Sequence, residues 1–398
     1  MPIFSQRNGQ DERAVLYPPE ILVHFDDSFV TSFDLFEEYI ARLTLSLYRT
    51  IGLEAACRPE ASIAQAVART GLVPAAALVP VSWILAMLAS RKWIGAQAGA
   101  DGELRYRLVQ ALPVLDADKI LEQRRAHDPR CLPSFEISAL AAAHYHAVLQ
   151  GQTSGEQALF GPEGYVPWVK YFSNDNRLYA ISNKVAAIAA VRALLTGPAA
   201  NLEIGGGLGS GADTLLGQLE STGRAAQVQP YHLTEISPLF LKRAQRNLSA
   251  LHPCCSFLFS ALDIDRPFAQ AAIAPESYSL AYGVNVLHVA RDLTATLGAL
   301  REALSKGGML VMAECMRLFP DTPLHLESIF NLLSSFRDAK LVPGWRPNGG
   351  FLTPEQWTAA LETNGFEDVR IYPDIAAIRD AYPSFVIAPI VARRALAR

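Results

Sequence analysis

The sequence has few cysteines, no excess of basic residues and no apolar segment at its start. Its five cysteines show neither paired nor metal-type spacing, which indicates reduced thiols in a cytoplasm. The formal net charge of -4 argues against binding to nucleic acid, which needs clustered lysine and arginine. Residues 1–13 are polar and charged, without a signal-peptide core, so we expect a cytoplasmic location.

One stretch without charge is long enough to raise the question of a membrane span. Residues 71–90 carry no charged side chain, but Pro74 and Pro80 fall inside the stretch. Proline removes a helix hydrogen bond, and a span needs about 20 consecutive apolar residues. The sequence therefore favours a buried helix over a membrane span.

The first part of the chain has the pattern of three helices followed by a hairpin. The elements are predicted at residues 33–51, 62–70, 75–88, 92–94 and 103–108. This order is a winged-helix arrangement, but its third helix has no basic residue before Arg91. We therefore predict a homodimer built through residues 30–110, and a DNA-binding regulator is the alternative.

From residue 199 the pattern changes to alternating strands and helices. Strands are predicted at 199–204, 228–236, 256–264, 277–286, 308–315, 367–372 and 384–392, with helices between them that include 239–250, 292–305 and 354–364. Such alternation gives an α/β fold with a doubly wound sheet. The predicted domains are 1–112 (winged-helix-like), 113–195 (helical linker and lid) and 196–398 (ligand-binding sheet).

The most informative motif is a glycine-rich stretch that directly follows an apolar strand. Glu203 ends the strand, and Gly205, Gly207 and Gly209 come next, ahead of a helix predicted over 212–219. Glycine lets the backbone turn sharply and lie against a flat ligand. The N-terminus of the helix points into the same crevice. The motif predicts a nucleotide-type site at the mouth of a parallel sheet.

The glycine spacing also fits a dinucleotide fingerprint, so the acidic residues around it must distinguish the ligands. Glu203 would repel a pyrophosphate but attract the sulfonium and ammonium groups of S-adenosylmethionine. Glu235 stands at the tip of the next predicted strand, where a carboxylate can accept both ribose hydroxyls. After the third strand, Asp263 is placed beside Ile264, where it could accept from an adenine amino group. This set favours S-adenosylmethionine over NAD.

Together these motifs resemble class I S-adenosylmethionine-dependent methyltransferases, in particular the methyltransferase domains of polyketide synthases. The likeness covers roughly residues 155–370 and is carried by the Glu203 motif and by residues 234–241, 262–264, 285–293 and 352–357. Glu235 stands where the family usually has Asp, and Gly206 adds a glycine to the loop. The first 110 residues resemble the helical dimerisation domain of small-molecule O-methyltransferases.

The resemblance implies a Rossmann-like seven-stranded methyltransferase sheet with a helical, winged-helix-like N-terminal domain. It also implies that Asn285 belongs to the cofactor-binding set. No ketosynthase or acyltransferase segment accompanies the motifs, so a free-standing enzyme is expected.

A candidate catalytic pair lies at two neighbouring strand ends. His288 comes just after the fourth strand and Glu314 ends the fifth, so their side chains are expected within hydrogen-bond reach. A neutral imidazole can take a proton near pH 7, and a carboxylate beside it can orient the ring and stabilise its charged form. In the polyketide methyltransferases that this chain resembles, a His and a Glu at these positions form the catalytic dyad.

Residues that contact substrate or form a lid are predicted in two regions. Aromatic and amide side chains shape a pocket and also fix polar groups. The predicted set is Tyr171, Phe172, Asn176, Tyr179, His325 and Trp345, the last followed by Arg346.

The sequence thus predicts a metal-free methyltransferase for a small acyl or polyketide-like molecule, free or attached to coenzyme A or a carrier. Within the same class, the alternative is O-methylation of a hydroxyl or of a carboxylate, which needs no base. From other classes, an NAD-dependent oxidoreductase remains open, as does a winged-helix regulator that uses the cofactor as a signal.

Overall fold

The computed structural model describes residues 6–7, 10–11, 19–194, 199–372 and 387–396. The chain forms two compact units. Unit 1 comprises residues 1–26, 172–318 and 339–398, and unit 2 comprises residues 27–171 and 319–338. The three predicted domains, 1–112, 113–195 and 196–398, stay a prediction.

The elements are numbered along the chain. The strands are β1 (Gln6–Arg7), β2 (Gln10–Asp11), β3 (Ala61–Ser62), β4 (Gly95–Ala98), β5 (Leu104–Arg107), β6 (Asn201–Ile204), β7 (Tyr231–Thr234), β8 (Phe257–Ser260), β9 (Tyr278–Val284), β10 (Leu304–Cys315), β11 (Phe366–Ile371) and β12 (Ile387–Arg394). The α-helices are α1 (Pro19–Leu22), α2 (Asp27–Thr50), α3 (Leu53–Ala56), α4 (Ile63–Thr70), α5 (Pro74–Ser90), α6 (Ala117–His127), α7 (Leu132–Leu149), α8 (Gly155–Phe160), α9 (Pro162–Tyr171), α10 (Arg177–Ala193), α11 (Ser210–Ser221), α12 (Pro238–Leu251), α13 (Leu293–Ala303), α14 (Glu327–Phe330), α15 (Ser334–Arg337) and α16 (Pro354–Thr363).

Unit 1 is built on a seven-stranded sheet in the order β11-β12-β10-β9-β6-β7-β8. Strands β6 to β10 pair in parallel, and β12 pairs antiparallel with both β10 and β11. The chain runs outward from β6 to β7 and β8, then returns to β9 on the other side. The order therefore reverses between β6 and β9, and in open α/β sheets the carboxyl ends at such a point bind ligands.

The predicted α/β fold with seven strands is confirmed. Each predicted strand overlaps an observed one, although residues 384–386 of the last lie outside the described part. The helix predicted over residues 354–364 is observed as α16. Thr353 and Gln356 form a reciprocal capping box, and Pro354 occupies the first helical position, where its missing N–H costs nothing.

Unit 2 is mainly helical and contains a small antiparallel sheet in the order β3-β5-β4. The helix predicted over residues 33–51 is observed as part of α2. Its periodic apolar residues lie on the buried side, as Phe33, Phe36 and Ile40 show. The helix predicted over residues 62–70 is observed as α4, and Ser62 caps it by accepting the N–H of Gln65.

The predicted wing needs a correction at its first strand. Residues 92–94 do not form a strand, since Lys92 has a φ of 57° and lies in a turn. The strand is instead β4, which lies between the two predicted hairpin strands and pairs with β5. Glycine and alanine have a weak preference for strands, and cross-strand pairing with β5 overrides it.

The uncharged stretch 71–90 forms α5, with Pro80 inside the helix. Its apolar side chains Val81, Trp83 and Ile84 are buried. In the described ranges, no helix is both long and apolar enough to cross a membrane.

Candidate active site

The glycine loop between β6 and α11 has a backbone that other residues rarely adopt. Gly205, Gly207 and Gly209 have φ values of 61°, 55° and 86°. A Cβ on Gly205 would lie 2.4 Å from the Val286 side chain, whereas a Cβ on Gly207 would have no atom within 4 Å. Gly205 is thus required by close packing, and Gly207 borders open space at the mouth of the sheet.

Glu203, at the end of β6, is buried with 2% exposure. The Tyr231 hydroxyl donates to its Oε2 at 3.0 Å. Burial raises the pKa of Glu203 to about 8, with Glu235 adding to the rise and the Tyr231 bond opposing it. Its Oε1 would lie 2.8 Å from a Cβ on Gly211, so the carboxyl group lies against the start of α11. A cation bound beside Glu203 would stabilise the ionised carboxylate and so lower its pKa.

Glu235, just after β7, joins two loops at the same edge. Its Oε2 accepts the Gly207 N–H at 2.9 Å, and its Oε1 accepts the Ser237 N–H at 2.8 Å. Burial raises the pKa of Glu235, and these backbone hydrogen bonds oppose the rise. Each oxygen keeps a second lone pair, so the carboxylate can still accept two hydroxyl groups.

The other predicted cofactor residues surround this edge. Asp263 is partly exposed, and its Oδ1 accepts the Asp265 N–H at 3.0 Å. The carbonyl of Ile264 accepts the Thr296 hydroxyl at 3.0 Å. Asn285 has a φ of 50°, and its Oδ1 accepts the Cys315 N–H at 2.9 Å. Asn285 therefore ties the ends of β9 and β10 together.

His288 and Glu314 form a buried pair at the ends of β9 and β10. His288 Nδ1 lies 2.6 Å from Glu314 Oε2, and both side chains are 2% exposed or less. Glu314 Oε1 also accepts the N–H groups of Val286 and Leu287, at 3.1 and 2.8 Å. With Nδ1 donating to the carboxylate, neutral imidazole carries its lone pair on Nε2, where a proton can be accepted.

The ring of Phe351 stacks on the His288 imidazole, with centroids 4.2 Å apart and planes tilted by 29°. It therefore fixes the plane in which Glu314 holds the ring. The sequence analysis did not select Phe351. The only local signal was its place just ahead of the Thr353 capping box.

Four of the predicted lid residues belong to unit 1. Phe172 contacts the rings of Tyr179 and Phe240, with centroids 5.3 and 6.0 Å apart. Asn176 is buried at the start of α10. Burial raises the pKa of Tyr179, and the nearby carboxyl groups of Glu203 and Glu235 add to the rise. Tyr179 thus lies within electrostatic range of the two glutamates of the glycine-loop site. Trp345 is buried in the segment 339–352.

Asn174 connects the lid residues to the glycine loop. Its Nδ2 donates to the Ser210 carbonyl and to Asp213 Oδ2, both at 3.0 Å, and its Oδ1 accepts from Asn183 at 2.9 Å. The Ser210 hydroxyl donates to the Phe172 carbonyl at 2.5 Å. The run of polar and aromatic residues at 171–183 indicated this region, but nothing in it distinguished Asn174 from its neighbours.

The remaining two lid candidates, Tyr171 and His325, belong to unit 2. Tyr171 contacts Trp168 edge to face, and His325 packs edge-on against Phe33 and Phe36 at 5.2 and 5.5 Å. Burial lowers the pKa of His325 to about 4, so the ring is neutral at pH 7. These contacts are those of a core histidine. Among the described residues, no cluster of three or more His, Cys, Asp or Glu side chains could hold a metal.

Comparison with known proteins identifies the domain type around this edge. A family model described as a methyltransferase domain matches residues 202–310. A highly reducing polyketide synthase, gloL of Glarea lozoyensis, is 28% identical over 299 residues, which are 71% of this chain and 11% of that protein. The chain spans about a tenth of the length of the curated relatives it matches.

Solved structures share the whole fold. The CurJ carbon methyltransferase superposes with a TM-score of 0.77 at 20% identity, over 97% of this chain and 96% of that one. The trans-methyltransferase CalH, in complex with SAH, gives a TM-score of 0.61 at 18% identity, over 93% and 92% of the two chains. The resemblance predicted from the sequence motifs is confirmed, and the fold is that of a Rossmann-like methyltransferase.

Proposed function

We propose that this protein transfers the methyl group of S-adenosylmethionine to an acidic carbon of an acyl or polyketide-like molecule. The observation that carries the proposal is the buried pair of His288 and Glu314, joined at 2.6 Å at the mouth of a methyltransferase sheet. Such a pair is needed only where the acceptor must lose a proton. The acceptor is either a free molecule or an acyl group attached to coenzyme A or a carrier.

The residues at the glycine loop fit this cofactor. Glu203 offers a buried carboxyl group, Glu235 can accept hydroxyl groups, and the backbone at Gly207 leaves open space. S-adenosylmethionine supplies a methyl group on a positively charged sulfur, and the sulfur leaves as a neutral thioether. A pyrophosphate beside Glu203 would further oppose ionisation of its carboxyl group, whereas a cationic ligand favours it, which argues for S-adenosylmethionine over NAD.

The protein's own part in the reaction is proton removal and positioning. Nε2 of His288 accepts the proton from the acceptor carbon, and the electron pair of that C–H bond stays on carbon as the nucleophile. Glu314 holds Nδ1–H and stabilises the imidazolium that results. Phe351 keeps the ring in one plane. Removing the proton in this way contributes about 10²–10⁴ in rate.

The direct test is to incubate the purified protein with methyl-labelled S-adenosylmethionine and acetoacetyl-coenzyme A. The α-carbon between its two carbonyl groups is acidic enough for an imidazole base. We expect one labelled methyl group on that carbon, located by mass spectrometry and carbon NMR. Parallel reactions with a phenol and with a free carboxylic acid test O-methylation. Label only on oxygen, or binding of NAD without any response to S-adenosylhomocysteine, would refute the proposal.

We also propose the homodimer predicted from the sequence. Val73, Leu78 and Val79, in and next to the first turns of α5, are 41–43% exposed, which suits an apolar contact surface. Light scattering at micromolar concentration should give the mass of two chains, and Val79→Glu should reduce it to one. A monomeric wild type would contradict the dimer but not the methyltransferase.

A further inference from the structure

The turn that carries His288 is short and has few hydrogen bonds of its own. It is a single 3₁₀ turn, Leu287–Val289, closed by bonds from Val289 N to Val286 O and from Ala290 N to Leu287 O. Like any helix end, it presents N–H groups at one end and carbonyl groups at the other that need outside partners. Glu314 accepts the N–H groups at the start, as described above.

Arg346 fills the corresponding role for the carbonyl groups. Its Nη2 donates to the His288 carbonyl at 3.0 Å, and its Nη1 donates to the Ala290 carbonyl at 2.8 Å. The side chain is 1% exposed. The backbone of Arg346 is itself fixed, because it exchanges two hydrogen bonds with Val342, at 2.7 and 2.9 Å. The planar guanidinium thus spans two carbonyls of the turn, which a lysine ammonium does not match.

We propose that Arg346 is a positioning residue for the catalytic base, holding the His288 turn from its carbonyl side while Glu314 holds it from its N–H side. The inference rests on the proposed function, since it gives His288 the role of the base. It adds a second effect beyond geometry. Removing this buried cation, which lies 3.0 Å from the His288 carbonyl, should also make a positive charge on the ring less costly.

Other charged groups also lie around the turn that carries His288 and contribute to the electrostatic potential there. Asp265 accepts the N–H groups of Arg291 and Asp292, and Lys340 pairs with Asp292 at 2.7 Å. Burial lowers the pKa of Arg346 to about 10, while Asp265 and Asp292 oppose that shift, so the guanidinium stays charged at pH 7. Glu314 is the charged group that contacts the ring itself, at Nδ1.

The main test compares Arg346→Met, which keeps volume and loses charge, with Arg346→Lys, which keeps charge and loses the planar fork. A misplaced base costs up to about 10²-fold in rate. We expect Arg346→Met to lower kcat by about 10- to 100-fold at pH 7, with KM and affinity for S-adenosylhomocysteine unchanged. The acidic limb of its pH–rate profile should move to higher pH, and Arg346→Lys should restore that limb and part of kcat.

A matched control is Arg224→Met. Arg224 also donates to two carbonyls, those of Val191 and Leu194 at 3.2 Å, but at the end of α10. Its loss should lower the melting temperature without moving the acidic limb. If Arg346→Met behaves in the same way, Arg346 is only structural and the proposal is wrong.

Two further measurements separate this inference from the proposed function. The imidazole of His288 is followed by NMR titration in the S-adenosylhomocysteine complex, a readout that needs no turnover. Removing Arg346 should move the titration midpoint upward, because a buried cation beside the turn is lost, and an unmoved midpoint overturns the proposal. In the second measurement, adding Arg346→Met to His288→Ala should cost no further activity, because Arg346 acts through His288. A wild type that methylates nothing defeats the proposed function but leaves the titration interpretable.

Discussion

Two buried glutamates at the same edge of the sheet have very different surroundings. Glu314, at the end of β10, accepts three hydrogen bonds, from the N–H groups of Val286 and Leu287 and from the His288 ring. Glu203, at the end of β6, accepts one bond to its carboxyl group within the described residues, from the Tyr231 hydroxyl. Burial raises the pKa of Glu203 to about 8. A buried charge costs less where more donors replace the water it loses, and Glu314 has three donors where Glu203 has one.

We interpret this difference as a difference in function between the two glutamates. In the proposed function, the β10 end has its partners within the protein and serves proton removal. The β6 end has no cationic partner among the described residues and would receive one from a positively charged ligand. Four experiments test the contrast, from the largest expected effect to the smallest.

Substitutions in the pair of His288 and Glu314 should have the largest effect, and that effect is on turnover. His288→Ala should lower turnover by about 10²–10⁴, with affinity for S-adenosylhomocysteine nearly unchanged, because a general base is lost but the cofactor residues remain. Glu314→Gln should cost less, since an amide can still hold the ring but no longer stabilises imidazolium. Turnover is measured with labelled S-adenosylmethionine.

The control for this experiment is His232→Ala. His232 is also buried, between the Tyr278 and Ser260 hydroxyls at 2.6 and 2.7 Å, but it lies within β7 and not at a strand end. It should affect stability more than turnover. Near-normal rates in both His288→Ala and Glu314→Gln would show that the acceptor is already an anion, such as a carboxylate.

A substitution of Glu235 tests the part of the site that is proposed to bind the cofactor. Removing its carboxylate in Glu235→Ala should weaken S-adenosylhomocysteine binding by roughly 1.5–3 kcal/mol, or about 10- to 150-fold, the range for hydrogen bonds to charged groups. The Gly207 and Ser237 N–H groups also lose their acceptor. Calorimetry gives the affinity, and an unchanged dissociation constant would remove Glu235 from the cofactor site.

The protonation of Glu203 should appear in the pH dependence of binding. Its pKa of about 8 means that the free protein holds the proton at pH 7 and loses it as the pH rises through 8. A cationic ligand selects the ionised form. S-adenosylmethionine should therefore bind about tenfold more tightly at pH 9 than at pH 7 through this group alone.

Glu203→Gln isolates this contribution, because the ligand's own amino group titrates identically in both proteins. The tenfold gain should be absent in the variant. Calorimetry at pH 7 in two buffers of different ionisation enthalpy should also detect proton release in the wild type only. Identical pH profiles for the two proteins would contradict a protonated Glu203.

The smallest effect is expected from the single hydroxyl that supports Glu203. Tyr231→Phe removes that donor and makes ionisation of the carboxyl group more costly, so S-adenosylmethionine affinity at pH 7 should fall about 2- to 12-fold, the equivalent of one neutral hydrogen bond. Tyr282→Phe is the matched control. Its hydroxyl is buried and makes no hydrogen bond in the described part of the chain. Equal losses in both variants would mean that the Tyr231 bond is not the cause.

The side-chain pair of His288 and Glu314 was predictable from the sequence, because parallel strands bring their carboxyl ends to one edge of the sheet. His288 and Glu314 are 26 residues apart, one in the turn that follows β9 and the other at the end of β10, so the strand assignments alone placed them together. The same reasoning located Glu203, Glu235 and the glycine loop. It named Arg346 only beside Trp345 among the lid candidates. It could not place Arg346 on the His288 turn, because the two residues are 58 apart and the segment around Arg346 has no periodic pattern.

The sequence by itself determined the alternation of strands and helices, the caps and the glycines with positive φ, because these depend on stereochemistry within a few residues. It also determined which chemical groups stand at the strand ends. Only the tertiary structure decided which partner each buried charge receives. That choice gave Glu314 two backbone N–H groups and a histidine, gave Glu203 one hydroxyl, and seated Arg346 on the turn of His288. The physical reason is that a buried group must replace the water it loses with whatever donors packing brings near, and packing joins residues that lie far apart in the chain.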